Sequence, residues 1–154
     1  MYELDALDRK ILSELQVDAS AAIEEIGSRI GLSRNACWRR IRRMEEGGVI
    51  RARVALVEPS ALGLGLQVFI SVRTADHDPD WLAKFARATR DIPEIIGAYR
   101  MTGELDYLIR ARVEGIADYD RLYQQLIRRV PMSDVSASFV MEEIKETTAL
   151  PVDH

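Results

Sequence analysis

The chain has one cysteine, Cys37, among 154 residues, so no intrachain disulfide is possible. It has two histidines, His77 in an expected loop beside Pro79 and His154 at the last position, and their separation argues against a metal site. No run of eighteen apolar residues occurs, and MYELDALDRK at the start lacks the charged-then-apolar pattern of a signal peptide. The expectation is a soluble, cytoplasmic protein with no membrane partner. No serine–histidine, cysteine–histidine or phosphate-loop constellation is present, so no catalytic residue is assigned and no cofactor is expected. A basic excess is missing too: the formal net charge is −4, which argues against indiscriminate nucleic-acid binding.

What is present is a globular composition with an uneven charge distribution. Hydrophobic residues make up 47% of the chain, enough for the core of one ordinary domain or two small ones. Between Arg29 and Arg53 eight arginines face only two acids, Glu45 and Glu46. The basic footprint is therefore local, and a dimer would double it.

That footprint centres on GLSRNACWRRIRRMEEGGVI, Gly31 to Ile50. Gly31 suits a tight turn, Ser33 stands at a helix N-cap, and Gly47-Gly48 supply a stop that needs positive φ. Cys37, Ile41 and Met44 recur at helical steps and form a packing face, which makes Cys37 a buried hydrophobe rather than a reactive thiol. The remaining surface offers guanidinium groups, whose forks suit phosphate oxygens and guanine edges. The candidate DNA contacts are Ser33, Arg34, Asn35, Trp38, Arg39, Arg40, Arg42 and Arg43. Of these Arg34, Asn35, Trp38 and Arg39 sit early enough to reach bases, while Arg42 and Arg43 are placed for phosphates or for acidic partners. For Trp38 the alternative is packing against the first helix.

Two amphipathic helices precede it, one from about Asp5 to Asp18 with Leu4, Leu7, Ile11, Leu12 and Leu15, the other from about Ala22 to Ile30 with Ile23, Ile26 and Ile30. This is the layout of a helix-turn-helix, in which the third helix enters the major groove. Val49 to Val57 alternates like a strand, Glu58-Pro59 breaks it, and Leu62 to Leu66 reads as a linker. From Gln67 the elements predicted are a strand, a helix opened by Asp78-Pro79, strands at Ile95–Met101 and from Tyr107 to Val113, a helix after Gly115 carrying residues from Ile116 to Val130, and a strand at Val135–Glu142. The fold class is α+β: an N-terminal helix-turn-helix (winged or tri-helical) domain at 1–49, a strand and linker at 50–66, and a C-terminal ferredoxin-like βαββαβ sandwich at 67–154. One face of that sheet would carry Phe69, Leu108 and Val140 among polar residues, which points to sheet-to-sheet dimerisation.

LDALDRKILSELQ, IGLSRNACWRRIRRMEEGGVI, TGELDYLIRARV and FVMEEIK together resemble the Lrp/AsnC, or feast/famine, regulators, and the resemblance spans nearly the whole chain. It implies a homodimer paired through the C-terminal sheet, further assembly into tetramers or octamers, binding to double-stranded promoter DNA, and an amino-acid effector held between dimers. The effector site then gathers around Met101, Thr102, Gly103, Glu104, Asp106 and Tyr107, with Ser136 and Ser138 supplied by a neighbouring subunit. Gly103 leaves peptide N–H groups open to an α-carboxylate, and Glu104 or Asp106 suits an α-ammonium. Glu104 replaces the aspartate usual in that turn, Arg34 stands where proline is frequent, and the second helix lacks a hydroxyl cap. Two alternatives remain at this point. One is a DNA-architectural protein without an effector; the other is an enzyme resembling tetrapyrrole decarboxylases of this architecture, for which His77 is the one candidate besides the terminal residue.

Overall fold

The computed structural model describes residues 2–74 and 78–152. The chain forms two compact units, Met1–Leu56 with Lys145–His154, and Val57–Ile144.

In the first unit α1 (Ala6–Val17), α2 (Ile23–Ile30) and α3 (Arg34–Glu46) enclose Ile11, Ile26, Cys37, Ile41 and Met44, all essentially without solvent exposure. Asp5 caps α1 and forms a capping box with Asp8. Ala22 begins α2 with no side-chain cap, and Gly31 ends it at φ 77°, a conformation that suits glycine. Ser33 caps α3 by accepting from the Ala36 amide at 3.2 Å. At the far end Gly47 stays helical at φ −79° and only Gly48 takes a positive φ, 73°, so one glycine rather than two supplies the reversal. Val49 and Ile50 then fold back onto the helical core. The unit is tri-helical: the strand expected over Val49–Val57 does not form, and Val54, Leu56 and Val57 are exposed. Alternation alone does not make a strand, because the amides need a neighbouring ladder.

The segment after Lys145 lies along α1. Gln16 and Leu150 exchange two hydrogen bonds, Nε2 to the Leu150 carbonyl at 3.0 Å and the Leu150 amide to Oε1 at 2.7 Å. Arg9 Nη1 donates to the Val152 carbonyl at 2.7 Å.

The second unit opens with a 3₁₀ turn at Pro59–Leu62 and continues as β1 (Leu66–Arg73), α4 (Pro79–Asp91), β2 (Ile95–Arg100), β3 (Tyr107–Val113), α5 (Ile116–Arg129) and β4 (Asp134–Phe139). The strands form one antiparallel sheet in the order β2-β3-β1-β4, so the βαββαβ ferredoxin-like sandwich is the architecture. Val68, Ile70 and Val72 of β1 and Tyr107, Ile109, Ala111 and Val113 of β3 point into a core completed by Trp81, Phe85, Ile92, Leu122 and Leu126. Asp78 caps α4 through the Trp81 amide at 2.7 Å, and the Trp81 indole N–H donates to the Pro131 carbonyl at 2.6 Å. Two expectations change. Ile116, at the start of α5, is exposed. β4 stops at Phe139, leaving Met141 exposed, because β1 begins at Leu66 and the last ladder bond runs from the Val140 amide to Gln67.

Candidate functional site

On α3 the helical period sorts the side chains. Cys37, Ile41 and Met44 turn inward, and burial pushes the Cys37 thiol pKa up. Ser33, Arg34, Asn35, Trp38, Arg39, Arg42 and Arg43 are exposed on the unit's surface. Trp38 is 51% exposed, so its ring is available beside the arginines rather than packed away against α1. Among the described residues no carboxylate comes within ion-pair distance of Arg34 or Arg39, whereas Arg42 lies 3.5 Å from Glu45 and 3.8 Å from Glu46. Arg43 sits with its guanidinium carbon 5.6 Å from the centre of the Tyr2 ring. An α-helix is about 10–12 Å across with its side chains, and the major groove is about 12 Å wide, so the exposed side of α3 has the dimensions of a groove reader.

Arg40 differs from its neighbours. Its Nη1 donates to Asp5 at 2.6 Å and to Asp8 at 2.8 Å, which turns the guanidinium toward α1. The two carboxylates hold the Arg40 charge, raising its pKa, and in return Asp5 is held below the usual carboxylate range, first by the Asp8 amide and then by Arg40. Sequence reasoning did not assign Asp5 or Tyr2 to the site. The signal available was the Asp-x-x-Asp spacing, which reads as a helix cap and says nothing of a partner 35 residues on.

In the second unit the turn between β2 and β3 is exposed at Met101, Thr102, Gly103 and Glu104, with Gly103 at φ 101°. The turn is closed at its base by the Met101 amide on the Asp106 carbonyl at 2.9 Å. Asp106 does not project freely: its carboxylate accepts from the Thr74 amide at 2.9 Å. Glu104 has an open side chain, 3.8 Å from Arg73. Tyr107 belongs to the core, where its ring lies 4.6 Å from Phe85 and 5.2 Å from Trp81, so its side chain is taken up by packing. Ser136 and Ser138 lie on the face of the sheet away from the helices. Ser136 pairs with Ser71 and Ser71 with Leu108, which puts Ser136 about 10 Å, two strand spacings, from β3. One chain thus brings Met101 to Glu104 together and leaves the two serines apart from them. A groove of about 470 Å³ between α4 and the edge strand β2, lined by Phe85, Thr89, Arg90, Tyr99 and Arg100 among others, had no signature in the sequence.

Among the described residues no group of three or more histidine, cysteine, aspartate or glutamate side chains is placed to hold a metal, and no helix is long and apolar enough to cross a membrane. His77 and His154 lie outside the described residues.

Residues 4–45 match the AsnC-type helix-turn-helix domain, and residues 67–150 match the Lrp/AsnC ligand binding domain. The chain is 49% identical over 150 residues to the glutamate uptake regulatory protein of Zymomonas mobilis, covering 97% of this chain and 92% of that one. Its fold is similar to the crystal structure of an AsnC family transcriptional regulator from Agrobacterium tumefaciens, with a TM-score of 0.94, 47% identity and coverage of 97% and 98% of the two chains. It is equally similar, at a TM-score of 0.94, to a Neisseria meningitidis transcriptional regulator in complex with L-methionine, with 35% identity and 99% of both chains covered.

Proposed function

Because the chain belongs to the Lrp/AsnC family of transcriptional regulators, we propose that it reads promoter DNA through α3 as part of a dimer and answers to an amino acid bound at the Met101–Tyr107 turn. It is a DNA-binding regulator and not an enzyme, as its family and relatives are. The observation that carries the DNA reading is the row of exposed Arg34, Asn35, Trp38 and Arg39 on a helix capped at Ser33. Arg34 and Asn35 supply a fork and an amide for base edges, and Arg42 and Arg43 supply charge for phosphates.

Dimerisation is supported by the face of the sheet away from the helical core, where Phe69, Leu108 and Val140 are half-buried among polar residues. Pairing two such faces would bring two α3 helices to two half-sites, and assembly into tetramers or octamers would set the spacing of further heads. An amino acid fits the turn chemically. The amides of Thr102, Gly103 and Glu104 find no hydrogen-bond acceptor among the described residues and suit a carboxylate, and Glu104 suits an ammonium. Ser136 and Ser138 would reach that ligand only from a neighbouring subunit. Effector binding that prefers one assembly over another shifts DNA binding by that difference in affinity.

The test is fluorescence anisotropy on DNA from immediately upstream of the coding region, at fixed salt, with and without pooled amino acids. Glutamate, leucine and methionine go in the first pool, since they figure in the names of similar proteins. A shift in affinity or stoichiometry supports an effector at the turn. Specific binding indifferent to every pool favours an architectural role.

A further inference from the structure

Arg39, Arg40, Arg42 and Arg43 are equivalent in charge, yet among these four it is Arg40 that pairs with acids outside α3. Its side chain is 23% exposed, against 54% for Arg42. The carboxylates that hold it are each split between two tasks. Asp5 uses Oδ1 to accept from the Leu7 and Asp8 amides at 2.9 and 2.8 Å, and gives Oδ2 to Arg40. Asp8 uses Oδ2 to accept from the Tyr2 hydroxyl at 3.2 Å and the Asp5 amide at 3.3 Å, and gives Oδ1 to Arg40. Asp8 is only 3% exposed in its side chain, so a swing of Arg40 toward DNA would strand a buried carboxylate.

The same segment touches α3 a second time. The Tyr2 ring lies under Arg43 and against Gly47, where an added β-carbon would stand 3.0 Å from the ring. Residues Tyr2 to Asp8 therefore grip α3 in its middle and at its end.

We propose that Arg40 is a positioning residue and not a DNA ligand: Asp5 and Asp8 withhold it from phosphate and use it to fix the pitch at which α3 presents Arg34, Asn35, Trp38 and Arg39. This rests on the reading of α3 as the recognition helix. A neutralised arginine releases no counterion on binding, so Arg40 adds nothing to the salt dependence of affinity, while the angle it sets governs discrimination between sequences.

The experiment uses the full chain and a duplex that the wild-type protein enriches from a random library, with affinity measured against salt for that duplex and for a scrambled one. Each phosphate contact contributes a slope of roughly −0.9 in log affinity against log salt. Arg40→Gln is expected to lower the ratio of specific to scrambled affinity at least tenfold with the slope unchanged. Asp8→Asn, which lies outside α3, is expected to lower the same ratio and to steepen the slope as the hold on Arg40 weakens. Arg40→Lys, which keeps a cation for the two acids, should restore most of the ratio, and Asp8→Asn with its steeper slope carries the test if Arg40→Gln does not fold. A slope made shallower by about one contact per head in Arg40→Gln would overturn the proposal, as would a loss of discrimination in Arg40→Gln that Asp8→Asn does not share, since that pattern marks a base contact. If the wild-type chain enriches no duplex, the recognition-helix reading itself fails.

Discussion

The carbonyl oxygen of Leu32 stands 2.7 Å from the point a β-carbon would occupy on Gly27, and the Leu32 amide donates to the Gly27 carbonyl at 2.8 Å. The turn that orients α3 is thus laid directly on the backbone of α2. Gly27→Ala has to push the turn away and is expected to cost about 1–3 kcal/mol, the usual range for overpacking. Urea unfolding followed by hydrogen exchange of the α2 and α3 amides measures it, and the sheet of the second unit should keep its protection.

Cys37 is buried between α2 and α3, and its thiol pKa is raised by the loss of water. The native protein should therefore not react with a thiol reagent at neutral pH until urea opens the first unit. The sign of the linkage follows. The folded state holds its proton more tightly than the unfolded chain, so the contribution is fully present below the ordinary thiol value of 9.0 and declines as the pH climbs from there toward the folded value. Cys37→Ala should flatten that alkaline decline; a slope the same as wild type would assign it to other groups.

Most of the fold is legible in the sequence because both periods are local. Cys37, Ile41 and Met44 mark the inner side of α3, and Tyr107, Ile109, Ala111 and Val113 mark the inner side of β3. What is not legible depends on distant partners. Val49–Val57 has a strand pattern but finds no ladder among the described residues, and β4 ends where β1 begins to pair. Arg40 reads as one more basic side chain until folding brings Asp5 and Asp8 to it. Tyr107 carried two readings, a core position by alternation and an effector contact by resemblance, and the ring contacts with Trp81 and Phe85 place its side chain in the core.

Arg39 is exposed, early on α3 and free of any acid in ion-pair reach among the described residues. Arg39→Ala is expected to weaken binding to a specific duplex by about tenfold or more, the equivalent of about 1–3 kcal/mol for a base or phosphate contact. Its melting temperature should stay within a degree or two of wild type. Anisotropy and thermal unfolding of the same preparation decide it, and a matching fall in both would make Arg39 a structural residue.

The turn offers two carboxylates that geometry separates. Glu104 extends into solvent, and its one ion-pair neighbour among the described residues is Arg73 at 3.8 Å, so its removal should cost the fold little. Asp106 accepts from the Thr74 amide at 2.9 Å and its own backbone joins β1 to the turn, so it holds the turn in shape. Glu104→Gln should leave thermal stability unchanged and weaken the response of DNA binding to whichever amino-acid pool is active, because an amide pairs poorly with an ammonium. Asp106→Asn keeps the acceptor but loses its charge and should lower stability by about 0.5–1.5 kcal/mol, the net worth of such a hydrogen bond. If Glu104→Gln responds to the pool as wild type does, the ammonium partner is not Glu104, and the acid to test next is Asp106.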